Sequence, residues 1–185
     1  MDKKGFTLAY FGGPLIIAIL AASMQAIDQF LASNTIIKDL LPGGGAWIAF
    51  QAWACYFLGG CNIKGGIRAF VAYLCGIVIS IGIFNGAGVL GGAGFGFWAV
   101  PAILLPTVVI AITLERFDIT SYVPALFVGA GAYFGIMGYI ASQPGPYQGS
   151  FVAFGLVELF YCLFGLVWGY LTIVIRGAYD AKYNS

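Results

Sequence analysis

Phe151-Val-Ala-Phe-Gly-Leu-Val-Glu158-Leu-Phe-Tyr-Cys-Leu-Phe-Gly-Leu-Val-Trp168 holds a single ionisable acid in an otherwise apolar run. A stretch of this kind approaches the roughly 20 residues needed to cross a hydrocarbon core, and it predicts a membrane-spanning helix. An acidic side chain at the centre of such a helix costs roughly 2.5–3.5 kcal/mol on insertion scales. Glu158 is therefore expected in one of two forms. It is neutral and hydrogen-bonded to a neighbouring helix, or it is charged and faces a hydrated vestibule open to the outer side.

The rest of the chain agrees with a membrane setting. It has 185 residues, of which 61% are hydrophobic and 8% charged, and it has no histidine. Soluble globular domains carry about a quarter charged residues. The length suits one transmembrane domain over residues 1–185. A net charge of +1 leaves no electrostatic footprint for nucleic acid. Cys55, Cys61, Cys75 and Cys162 match neither a CxxC nor a zinc spacing, and no histidine completes a site. No metal and no cofactor are expected, and haem attachment through histidine is excluded. Three of the cysteines lie in apolar stretches and read as small packing residues. The start, Met1-Asp-Lys3-Lys4 before an apolar run, resembles a signal peptide, and Ala21-Ala22-Ser23 offers small residues. Further apolar segments follow, so an uncleaved first span is expected.

Six spans are predicted, at about residues 6–27, 46–60, 67–89, 95–114, 120–141 and 151–175. The second is short, some ~22 Å at ~1.5 Å per residue. Between the first two, the stretch Ser33-Asn34-Thr-Ile-Ile-Lys-Asp-Leu-Leu41 predicts a short interfacial helix capped by Asn34 or Ser33 and ended by Pro42-Gly-Gly-Gly45. With six spans, Lys3, Lys4, Lys64, Arg68, Arg116, Arg176 and Lys182 share one side, and only Lys38 falls on the other. The positive-inside rule then places both termini in the cytoplasm. The outer connections are rich in glycine or proline. Gln143-Pro-Gly-Pro-Tyr-Gln-Gly149 reads as an ordinary turn. Gly86-Ala-Gly-Val-Leu-Gly-Gly-Ala-Gly-Phe-Gly96 reads either as a hairpin of small residues that lets two helices approach closely or as a pore-lining loop.

An internal repeat shows in the second and fifth spans. Phe50-Gln-Ala-Trp-Ala-Cys-Tyr56-Phe57-Leu-Gly59 matches Phe127-Val-Gly-Ala-Gly-Ala-Tyr133-Phe134-Gly135 in its Phe, Tyr-Phe and Gly positions. The third and sixth spans share Leu74-Cys-Gly76-Ile-Val78 and Leu163-Phe-Gly165-Leu-Val167. Three spans per unit is an odd number, so the halves, residues 1–90 and 91–185, must have opposite orientations. That is the inverted-repeat plan of many transporters, with the solute path near the repeat interface.

The run Trp47-Ile-Ala-Phe-Gln-Ala-Trp-Ala-Cys-Tyr-Phe57, then Gly65-Gly66, and Val123-Pro-Ala-Leu-Phe-Val-Gly-Ala-Gly-Ala-Tyr-Phe134 resemble the YcdZ-like bacterial inner-membrane proteins. These are classed as a domain of unknown function, number 1097. The resemblance covers about spans two to six and implies a multi-pass protein of the bacterial inner (cytoplasmic) membrane. It implies no activity and no site residues.

No enzymatic constellation is present: no histidine, no paired intramembrane carboxylates, no phosphate-binding glycine loop. The chain is not expected to be an enzyme. At membrane depth the polar groups are Gln25, Gln51, Ser80, Asn85, Thr107, Thr113 and Glu158. Gln25, Ser80 and the threonines read as helix–helix or back-bonding hydrogen bonds, each worth about 0.6 kcal/mol. Gln51 and Glu158 carry a functional reading beside that structural one. Phe50 and Phe127 read as packing, or as a stacked constriction that gates by dewetting. The candidate solute pathway or gate is Phe50, Gln51, Tyr56, Phe127, Tyr133 and Glu158.

Two functions fit these features. One is a channel or transporter for a small, mostly uncharged solute. The other is a non-catalytic accessory or scaffolding subunit of a larger membrane complex. The bilayer is the first partner in either case, with a homo-oligomer or a larger complex as the second.

Overall fold

The computed structural model describes residues 8–183, and every regular element in them is helical. Lys3 and Lys4, which the charge pattern puts before the first span, lie outside the described residues. The helices are α1 (Leu8–Asn34), α2 (Ile37–Leu40), α3 (Ala46–Leu58), α4 (Ile63–Leu90), α5 (Ala99–Thr113), α6 (Val123–Gly135) and α7 (Phe151–Tyr183). Four stretches are long and apolar enough to cross a membrane: Phe11–Asn34, Ile63–Arg116, Val123–Ile140 and Phe151–Tyr183. Helix α3 is apolar but shorter. The protein is membrane-embedded, with several helices in the bilayer.

The stretch Ile63–Arg116 is two rods folded on each other. Gly94 (φ 91°) and Gly96 (φ 51°) take left-handed backbone that side chains with a β-carbon rarely adopt, and they turn the chain between α4 and α5. Below the turn, a β-carbon at Gly86 would come within 2.6 Å of the Ile103 side chain. The absent side chain is what lets α4 and α5 close up. Residues 91–98 are exposed. The glycine-rich segment is therefore a close-approach hairpin and lines no interior cavity.

Several boundaries move from their sequence-based positions, each for a local reason. Helix α1 runs on past Ile27 to Asn34, because the carboxylate of Asp28 is buried and bonded inside the protein. Neither Asn34 nor Ser33 caps α2. Asn34 donates back to the Phe30 carbonyl, and the Thr35 hydroxyl accepts from the Ile37 N–H at 3.2 Å instead. Helix α4 starts at Ile63, since Asn62 accepts from the Gly65 N–H at 2.8 Å as its N-cap. Helix α7 continues to Tyr183, with Arg176 and Asp180 paired at 3.5 Å one turn apart.

The most extensive packing joins α3 to α7 and α4 to α6. Helices α4 and α7 also meet, α5 lies on α4, and α1 lies on α7. Glycines set the two main interfaces. A β-carbon at Gly76 would overlap the Leu126 carbonyl oxygen and reach 2.7 Å from the Ala130 nitrogen. One at Gly165 would overlap the Ala49 carbonyl oxygen and reach 2.9 Å from the Ala52 Cβ. Tyr56 packs against two further glycines, Gly66 of α4 and Gly169 of α7, while Gly155 lies against Ile77 with the Tyr133 ring next to it. Small residues of this kind replace the hydrophobic drive that helix association lacks in lipid.

Charged residues collect at one end. Asp118 pairs with Lys64 at 3.2 Å and with Arg68, which ties the α5–α6 connection to the start of α4. Gly13 of α1 lies against the Arg176 side chain of α7. Lys38, in α2, is at the opposite end, beyond the C-terminal turn of α1.

Candidate functional site

The spacing of Glu158, Tyr161, Cys162 and Gly165 puts all four on one face of α7, and all four are buried. Glu158 is fully buried at 0% exposure, and neither carboxyl oxygen has a hydrogen-bond partner among the described residues. Its surroundings come from three helices. Tyr73 of α4, Tyr133 of α6 and Cys162 of α7 lie within electrostatic reach of the carboxyl. The Tyr73 hydroxyl is likewise buried and unpartnered. The Tyr133 hydroxyl donates to the Phe151 carbonyl at 2.7 Å, which pins the end of α7 to α6. Neither sequence-based form of Glu158 is therefore realised. The carboxyl accepts no bond from a neighbouring helix, and it faces no vestibule. Buried polar groups are nearly always paired, so a buried carboxyl and a buried phenol that both lack partners among the described residues stand out.

A second buried carboxylate sits one turn away along the same face. Asp28 of α1, 1% exposed, accepts from the Gly45 N–H at 2.9 Å, the Ala46 N–H at 3.1 Å and the Tyr161 hydroxyl at 2.5 Å. The first turn of α3 thus receives its cap from a different helix. The free N–H groups and the helix dipole there both favour a negative group. Gly44, at φ 88°, packs against the Asp28 carboxyl, and Gly45 packs against the Tyr161 ring. This network is a structural clamp. Nearer the charged end, the Trp168 indole N–H donates to the Leu20 carbonyl at 2.9 Å and so fastens α1 to α7.

The sequence-predicted pathway residues separate into two groups. Tyr56, Tyr133 and Glu158 are buried between helices. Phe50, Gln51 and Phe127 lie on the outside; Phe50 is 39% exposed and Phe127 50%. Within one chain the two phenylalanines form no constriction, and Phe50 stacks instead on Trp53 of its own helix at 5.8 Å. Their helices do lie together. The Tyr122 hydroxyl donates to the Cys55 carbonyl at 3.1 Å at one end, and Trp47 reaches Gly135 at the other. Gln51 makes no hydrogen bond among the described residues. Sequence reasoning missed Tyr73, Cys162, Asp28 and Tyr161. The only signal available for the first two was their place on helix faces that also carry Gly76 or Glu158.

Clefts at the surface of the described residues include two of different character. One is apolar, about 360 Å³ in volume, between Tyr56 of α3, Gly66 and Phe70 of α4, and Leu166 and Tyr170 of α7. The other is polar, about 240 Å³, and has Arg68, Ser121 and Tyr122 among its walls. Glu158 lines neither.

Residues 14–172 match the family model described as a protein of unknown function (DUF1097), and the chain belongs to that family. No curated protein and no solved structure matches the chain.

Proposed function

We propose that this DUF1097 protein is a channel or transporter for a small, mostly uncharged solute, built as an inverted repeat of three plus three spans in the bacterial inner membrane. The observation that carries the reading is a set of equivalent contacts. Aligning Phe50 with Phe127 and Gly76 with Gly165 makes Ala49 equivalent to Leu126 and Gly66 equivalent to Gly155. Gly76 then meets the Leu126 carbonyl as Gly165 meets the Ala49 carbonyl, while a β-carbon at Gly155 would lie 3.7 Å from the Tyr133 ring, a looser counterpart of the 3.0 Å between Gly66 and Tyr56. The two aligned helices, α3 and α6, have 13 residues each. The second helix of each half packs on the third helix of the other half, so the halves interlock. These pairings support the repeat beyond the match in sequence.

Glu158 and Tyr73 lie on α7 and α4, the third spans of the two proposed halves, which pack against each other. Transporters of this plan hold solute near the repeat interface. A carboxyl and a phenol without partners offer hydrogen bonds to a small polar solute there. Tyr133 and Tyr56 border the same interface. The conformation is closed at the carboxyl, which is fully buried. Phe50, Gln51 and Phe127 face outward and line a path only where copies of the chain adjoin. That outward face, with an unbonded Gln51, is what favours the second reading, an accessory or scaffolding subunit.

The test is solute flux in liposomes carrying the purified protein, followed by light scattering with urea, glycerol and potassium chloride. At least one uncharged solute is expected to equilibrate faster than in protein-free liposomes. Glu158→Gln is expected to change that rate about tenfold, the effect of ~1.4 kcal/mol on the transfer barrier. No flux above background from folded protein, with a stoichiometric partner in native extracts, would move the assignment to the accessory reading.

A further inference from the structure

The polar cleft at the charged end has features that solute passage does not use. Its walls are Leu58, Gly59, Gly65, Arg68, Ser121 and Tyr122. The Arg68 guanidinium reaches Asp118 through one terminal nitrogen, while its Nε–H is buried and has no acceptor. Lys64 pairs with the same Asp118 at 3.2 Å. The Asn62 side chain is committed to the Gly65 N–H, the Tyr122 hydroxyl to the Cys55 carbonyl and the Ser121 hydroxyl to the Asp118 carbonyl. Burial pushes the Tyr122 hydroxyl up to about 12, with nearby Cys55 adding to the effect, so it remains a donor. None of the described residues supplies the acceptor that the Arg68 Nε–H needs. Two cations share one carboxylate here. Counting Glu115 and Arg116 of the adjoining turn, three cations face two carboxylates, and the balance is positive.

The setting says where an acceptor would come from. Leu58 in the cleft wall, Ile63 next to Lys64, and Phe117 and Ile119 on either side of Asp118 in the chain are all exposed. Large apolar side chains at these positions belong in the acyl region, which puts the cleft at headgroup depth and opens it toward lipid. A phosphate diester there brings two unesterified oxygens and one negative charge. One oxygen suits the Arg68 Nε–H, and Lys64, outside the cleft walls but sharing Asp118 with Arg68, adds a second positive charge beside it. Basic pockets at helix ends on the cytoplasmic face take anionic headgroups on the same grounds.

We propose that this cleft binds the phosphate of an anionic phospholipid, with Arg68 as the principal donor and Lys64 as the second cation. The bound headgroup ties the start of α4 to the connection before α6, whether or not the chain conducts a solute.

The test is native mass spectrometry of the full chain released from bilayers of equal phosphatidylglycerol and phosphatidylcholine, with thermal unfolding in each lipid alone. The wild type is expected to retain phosphatidylglycerol in preference and to unfold at a higher temperature in it. Lys64→Gln, at an exposed position, is expected to lower the preference roughly fivefold. Arg68→Lys keeps the charge for Asp118 and removes the Nε–H, and is expected to lower it by at least as much. Circular dichroism reports whether each variant is folded. Equal retention of the two lipids by the wild type, or an unchanged preference in both folded variants, would overturn the proposal. So would stabilisation by millimolar inorganic phosphate in phosphatidylcholine alone, which would make the ligand a soluble anion.

Discussion

Gly76→Leu and Gly165→Leu are each expected to prevent stable folding, with a loss of roughly 3 kcal/mol or more. Overpacking commonly costs about 1–3 kcal/mol when side chains can shift. Here the obstacle is backbone: the new β-carbon overlaps a carbonyl oxygen of α6 or of α3. A helix cannot retreat locally without losing the whole interface, and each interface is one of the two most extensive in the protein. The two variants should also resemble each other if the proposed repeat holds, since it makes the two contacts equivalent. Gly82→Ala and Gly131→Ala are the controls. A β-carbon at either meets nothing within 4 Å, and each replacement gains up to ~1 kcal/mol of helix propensity. Thermal unfolding of the four variants in detergent separates the cases. Folded, wild-type-like Gly76→Leu and Gly165→Leu would mean that the helices do not pack as described.

The second large effect concerns Asp28. Asp28→Ala is expected to destabilise by roughly 3–5 kcal/mol, because three buried donors lose their acceptor together, at about 1–3 kcal/mol for each unsatisfied group before relaxation. Those donors are the Gly45 and Ala46 N–H groups and the Tyr161 hydroxyl. Tyr161→Phe removes one donor and leaves the carboxylate its two backbone bonds, so a loss near 1 kcal/mol is expected. Asp28→Asn should fall between them. One oxygen survives, but an amide N–H takes the place of the acceptor that faces Ala46. Chemical unfolding of the three variants tests the ranking. Equal losses for Asp28→Ala and Tyr161→Phe would show that the α3 cap contributes nothing.

The helical, membrane-embedded class was legible in hydropathy alone, and the start of α3 followed from Pro42-Gly-Gly-Gly45. Asp28 was not legible. An acid at the edge of an apolar run looks like the end of a span, and its partners are 17, 18 and 133 residues away. The start of α4 was missed for a related reason. Lys64, Gly65, Gly66 and Arg68 lower the local hydropathy, yet Asn62 caps a helix that runs through them. Gly76 and Gly165 could be matched in the sequence, but what each meets could not, because a glycine carries no trace of its partner. Phe50 and Phe127 were matched too. Their outward placement depends on which helix faces are taken by α7 and α4, a fact of packing that a motif does not hold.

The central claim is that two halves of opposite orientation interlock in the bilayer, with the charged end in the cytoplasm. The most direct measurement is labelling of single cysteines with a membrane-impermeant maleimide, in a background free of other cysteines, in intact cells and in inverted vesicles. Exposed native Cys61, Glu115→Cys and Ala181→Cys report on one end, and Lys38→Cys and Gln143→Cys report on the other. The account predicts that positions 61, 115 and 181 react only in inverted vesicles and that positions 38 and 143 react in intact cells. Reaction of positions 38 and 143 from opposite faces, or of 61 and 115 from opposite faces, would contradict it.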